Sequence, residues 1–142
     1  LILAAAEKKF PAAVGQAGLY YYQGRFVPED KPRGLKMLKE AAEQGSIIAQ
    51  LFLADQEQDT DPPPSARYFR LCAAQRQPIC QTGIAEYLLK HGAPDKRPEA
   101  AAWLQAAAKQ NHAPAQKRLS TLNLNEEETK RAEQMRNLVS PQ

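Results

Sequence analysis

Apolar and small side chains recur at steps of three and four along most of this chain, and glycine and proline interrupt them at regular distances. Ala13, Val14, Ala17, Gly18 and Tyr21 make one stripe, and Leu35, Leu38, Ala41 and Ala42 make the next. Gly24 and Gly45 stand where these stripes should stop. The spacing predicts helices near 12–23 and 32–44. It restarts at Ile48, Ala49, Phe52 and Leu53 (47–58), then at Tyr68, Phe69, Cys72 and Ala73 (64–75). Ile79, Cys80, Ile84, Tyr87 and Leu88 predict a helix over 79–90, and Ala100, Trp103, Leu104, Ala107 and Ala108 one over 98–109. A short helix at 114–121 and a largely polar one at 126–138 complete the pattern.

The punctuation agrees. Pro11, Pro32 and Pro98 stand at first-turn positions, where a missing N–H costs nothing. The prolines of DTDPPPS, residues 59–65, stop one helix and start another. Phe26 and Val27, apolar loop residues, are expected to be plugs under the helix pair. Asn125 followed by Glu126, Glu127 and Glu128 reads as an N-cap with acids in the first turn, which suits the helix dipole. Leu1 to Lys9 reads as the second helix of a preceding hairpin rather than a leader peptide, since no basic segment comes before its apolar run.

The small pairs near Ala5, Ala41, Cys72 and Ala107 are 36, 31 and 35 residues apart, a period that marks arrays of helix hairpins. Composition supports an all-α chain. Twenty-four of the 142 residues are alanine, which favours helices packed closely through small side chains. The net charge of +3 comes from cations scattered among acids, which argues against a nucleic-acid face. No apolar run reaches the roughly 18 residues of a membrane span.

The residues from Ala13 to Gly45 carry a specific resemblance. Ala13, Gly18, Tyr21, Gly24, Val27, Asp30, Ala41, Ala42 and Gly45 match the Sel1-like repeat, a relative of the tetratricopeptide repeat, without a gap. Ala17, Phe26, Arg33, Gly34, Met37 and Leu38 substitute at other positions of its pattern. Later copies are degenerate: Ala49, Leu53 and Ala54 keep the first-helix signature, and Trp103, Leu104, Ala107, Ala108 and Asn111 the end of a second helix. The resemblance implies an α/α right-handed superhelical solenoid, with repeats at 13–45, 46–76 and 77–111. Residues 1–9 would end an earlier repeat, and 112–142 would form a half repeat with a capping helix. It also implies that further repeats precede residue 1.

In the register that aligns Tyr68 and Phe69 with the family's aromatic pair, Cys72 and Cys80 replace small residues that meet across a turn. Cysteine-rich Sel1-like proteins of bacteria carry a Cys-x7-Cys pair there, which implies a disulfide and a periplasmic or secreted location. Two buried free thiols, acting as small hydrophobes in a cytoplasmic protein, are the other reading.

The resemblance further implies protein binding along a concave face lined by first helices. On a helical wheel Leu19 and Tyr22 lie opposite Ala13, Ala17 and Tyr21, and the same face in later copies holds Leu51, Asp55, Thr82 and Glu86. These six are the candidate partner-binding residues, an apolar entrance leading to carboxylates that would suit a hydrophobic anchor followed by basic residues. Isolated surface apolars are also common and need no function. His91 and His112 have no second ligand at metal spacing, and no phosphate loop, dinucleotide fingerprint, HExxH or Ser-x-x-Lys motif occurs. The expectation is a scaffold without catalytic residue, cofactor, metal or small-molecule substrate, binding a protein or peptide. A specific inhibitor or immunity protein that occludes an enzyme or toxin is the alternative.

Overall fold

Proline stands in the first turn of several helices of this chain, and residues with left-handed backbone end or follow several of them. The computed structural model describes residues 2–7, 10–56 and 65–139. The expected helix end at 57–58, most of the loop at 59–65 and the expected small side chain of Ala5 lie outside that description, as do residues 1, 8 and 9. Every described element is helical, and the chain divides into two compact units, Leu1–Leu71 and Cys72–Gln142.

The first unit holds α1 (Ile2–Glu7), α2 (Pro11–Gln23), α3 (Lys31–Glu43), α4 (Ile47–Gln56) and most of α5 (Ser65–Ala74). Pro11 starts α2, and Gly24 at φ 67° ends it, with the N–H groups of Gly24 and Arg25 both donating to the Tyr20 carbonyl. Asp30 caps α3 by accepting from the Arg33 N–H at 3.2 Å. Asp30 N–H also reaches back to the Tyr21 carbonyl at 2.7 Å, so the start of α3 lies against the end of α2 and the two run antiparallel. Their shared core is Ala13, Val14, Ala17, Leu38, Ala41 and Ala42, all buried.

Gly45 at φ 102° ends α3, and Ser46 Oγ then accepts from Ala49 N–H to cap α4. Gln50, fully buried on α4, donates from Nε2 to the Ala42 carbonyl at 2.9 Å, joining this hairpin to the next helix. On the outside, both terminal guanidinium nitrogens of Arg67 in α5 grip the Glu43 carboxylate, at 2.6 and 2.7 Å. That fork holds the Glu43 carboxyl below the usual carboxylate range, by hydrogen bond first and charge second.

The second unit holds the end of α5, then α6 (Pro78–His91), a 3₁₀ turn (Pro94–Lys96), α7 (Arg97–Ala108), α8 (Ala113–Leu122) and α9 (Glu126–Val139). Helix α7 packs against α6, α8 and α9, and so buries residues all round: Pro98, Ala100 to Leu104, Ala106 and Ala107. Trp103, at 6% exposure, belongs to that core. Asn125 and Glu128 form a reciprocal cap at the start of α9. Glu128 N–H donates to Asn125 Oδ1 at 2.8 Å, and Asn125 N–H to Glu128 Oε2 at 3.1 Å. Arg97 completes the corner, giving Nε to Glu128 at 2.9 Å and Nη2 to the Leu122 carbonyl at 2.8 Å.

Three apolar expectations are corrected, the first being Ile48, expected on the buried stripe of α4 and 42% exposed. Phe26 is no plug: its ring is 77% exposed, because φ at this residue is 67° and that left-handed turn projects the side chain outward. Ile79, expected on the buried stripe of α6, is 57% exposed at the first turn, where the core is filled by Cys80 and Ile84.

Candidate partner-binding surface

Cys72 in the last turn of α5 and Cys80 in the first turn of α6 are bonded, with Cα atoms 5.7 Å apart. Both are fully buried. Pro78 begins α6 only two residues before Cys80, and this sharp restart sets the two helix ends side by side. No free cysteine occurs among the described residues.

Of the candidate binding residues, four lie in the first unit. Leu19 and Tyr22 on α2 are half-buried, as is Leu51 on α4, while Asp55 in the last turn of α4 is exposed. Tyr22 does not stand free. Its ring meets Phe52 of α4 edge to face at 5.1 Å, its hydroxyl lies 3.4 Å from Gln56 Oε1, and Lys31 Nζ sits 5.4 Å from its ring centre. The face opposite Ala13 and Ala17 therefore turns partly toward α4, and Gly15 on that face is buried near Ser46 and Ala49.

The other two lie on α6 in the second unit. Thr82 is half-buried with its Oγ1 unpartnered among the described residues. Glu86 is exposed, and Arg118 of α8 holds it through Nε at 2.8 Å. Its carboxylate is thus paired by a cation from α8, so the acidic end expected for the binding face is partly compensated there.

The sequence reading passed over two groups. One is a set of glutamines at recurring positions, of which Gln50 and Gln81 are buried and Gln116 is exposed. Gln116 on α8 donates to the Ala108 carbonyl at 3.2 Å, as Gln50 does to Ala42, and Gln81 accepts from Gln110 Nε2 at 3.0 Å. A signal was present, since Gln50, Gln81 and Gln116 are 31 and 35 residues apart, the spacing of the small pairs. The other is a run of aromatics faced by cations: Arg25 lies 5.1 Å from the Phe26 ring centre and Arg33 4.3 Å from that of Tyr21.

The Sel1 repeat family model matches residues 12–46 and 78–112. Its first stretch takes in the α2–α3 hairpin and its second the α6–α7 hairpin. The chain carries Sel1 repeats. Among solved structures, a Sel1 repeat protein from Oxalobacter formigenes is similar at 26% identity and a TM-score of 0.74, over 86% of this chain and 37% of that one. A protective antigen present in uropathogenic Escherichia coli strains, displaying the same repeat fold, shares the fold at 20% identity and a TM-score of 0.71, over 83% and 27%. This Sel1-repeat chain thus spans about a third of the length of those structures. No curated protein matches it. Sel1-repeat proteins generally mediate protein–protein interaction and typically have no enzyme activity. No described helix of this one is long and apolar enough to cross a membrane.

Proposed function

We propose that this chain is a non-enzymatic scaffold that holds a protein or peptide partner on its first-type helices, in the bacterial cell envelope. The pair of Sel1 repeats carries the reading. The partner would contact Leu19, Tyr22, Leu51 and Asp55 in the first unit and Thr82 and Glu86 in the second. Half-buried apolar groups beside exposed polar ones suit such contact, because a partner completes their desolvation. The Cys72–Cys80 bond supports an oxidising compartment, since reducing cytosol rarely keeps such bonds.

The test is affinity capture of partners in the native bacterium, followed by titration of each purified partner with the native chain and with Leu19→Ala/Tyr22→Ala. A scaffold binds without changing any partner's turnover and loses affinity in the variant. Stoichiometric loss of one enzyme's activity would instead assign the chain as an inhibitor or immunity protein.

A further inference from the structure

Phe26 combines two features that do nothing for folding. Its φ of 67° is a backbone region that bulky residues rarely adopt, and its ring is 77% exposed, so little of it leaves water when the chain folds. The loop nevertheless holds the ring firmly. Tyr20 meets it edge to face at 5.0 Å and 76°, Arg25 lies over it at 5.1 Å, and the Arg25 N–H is tied to the Tyr20 carbonyl at 2.9 Å.

The charges beside it are unevenly engaged. Asp30 is taken up in capping α3, and Glu29 stands 3.8 Å from Lys31. Arg25 and Arg33 rest on Phe26 and Tyr21, and neither has a carboxylate partner among the described residues. A guanidinium over an aromatic ring, with no carboxylate partner, keeps N–H groups available for bidentate binding of one. An exposed aromatic with Arg25 over its ring, and with Arg33 over the ring of Tyr21 one residue on from Tyr20, has the composition of an interaction hot spot.

We propose that Phe26 and Tyr20, flanked by Arg25 and Arg33, dock an acidic peptide segment of a partner protein. An apolar side chain of that segment packs on the Phe26 ring, and carboxylates on either side of it engage the two guanidinium groups. The choice of an acidic occupant rests on charge complementarity. The inference builds on the scaffold reading but uses none of the six residues assigned to the first-type helices.

A display library of random dodecapeptides, panned on the native chain, tests this when the selected peptides are titrated against variants. The expected peptides carry an apolar residue flanked by Asp or Glu, bind at least about tenfold more weakly to Phe26→Gly and to Arg25→Ala, and weaken with added salt. Phe26→Gly should keep or raise the melting temperature, since glycine accepts positive φ without strain. A drop in melting temperature would make the ring a structural plug and overturn the proposal. So would enrichment of basic peptides, or binding indifferent to both variants. Phe26-dependent adsorption to phosphatidylglycerol vesicles without acidic-peptide enrichment would assign the surface to lipid and overturn it too. Peptides lost on Leu19→Ala/Tyr22→Ala but kept on Phe26→Gly would remove this surface and leave the scaffold standing. A library that enriches nothing on the native chain would count against both.

Discussion

Gly18 on α2 and Gly34 on α3 approach so closely that a Cβ on Gly34 would lie 2.6 Å from the Gly18 carbonyl oxygen and 2.6 Å from the Tyr22 nitrogen. Both obstacles are backbone and cannot rotate away. The corresponding positions of the α6–α7 hairpin are Ala85, 67 residues on, and Ala100, 66 residues on, both fully buried. The first hairpin thus crosses through a pair of glycines where the later one crosses through alanines.

Gly34→Ala should therefore destabilise the chain. Alanine would favour the helix by about 0.5–1 kcal/mol, whereas overpacking against fixed backbone costs about 1–3 kcal/mol. The steric effect wins, and denaturant unfolding should show a lower midpoint. Gly15→Ala should be milder, because its nearest neighbour is the Ser46 hydroxyl, which can turn aside. A Gly34→Ala protein as stable as the native chain would mean that α2 and α3 are not packed this closely.

Reduction of the Cys72–Cys80 bond should cost roughly 2–3 kcal/mol, the loop entropy of an eight-residue separation. The measurement is unfolding with and without reductant, together with a thiol count on unfolded, non-reduced protein prepared from an oxidising compartment. Two titratable thiols in that sample would refute the bond and remove the main support for an envelope location.

Trp103→Ala should cost about 3–5 kcal/mol through the cavity it leaves in the α7 core. Trp103→Phe should cost much less, because the indole Nε1 has no hydrogen-bond partner among the described residues to lose. Native fluorescence should resist a water-soluble quencher, and free quenching would place the ring outside the core.

Acid should loosen the start of α9 through Glu128. Its carboxyl is held below the usual glutamate range, first by the Asn125 backbone N–H and then by Arg97. A depressed folded-state pKa means that the stabilisation is complete above the ordinary glutamate pKa and is lost as pH falls through the folded value. Glu128→Gln should flatten that part of a melting-temperature profile below pH 5 and leave a smaller slope than the native chain. An unchanged acid limb would show that neither the Asn125 N–H nor the Arg97 contact favours the ionised carboxyl.

The hairpins were legible because their signals are local. Pro11, Pro32 and Pro98 mark starts, Gly24 and Gly45 mark stops, and each stripe of small residues names its own buried face. The binding residues were less so. A helical wheel places Tyr22 opposite Ala17 but cannot show that Phe52 and Gln56 of another helix come to meet it. Glu86 reads as a bare carboxylate until α8 brings Arg118 to it, 32 residues away. Phe26 defeated the hydrophobic rule outright, since apolar character says nothing about a backbone turn that points the ring outward. Gln50 and Gln81 were polar letters on otherwise apolar stripes, buried where polarity alone would have placed them at the surface.

The bond between Cys72 and Cys80 also changes how the molecule would respond to tension. Eight residues of extended chain span roughly 27 Å, at about 3.4 Å each. With the two Cα atoms pinned 5.7 Å apart, roughly 20 Å of that length stays in reserve however hard the ends are pulled. A single-molecule extension trace should therefore show a contour shorter by that amount than the trace of the reduced chain, with the missing length released only when a thiol cleaves the link.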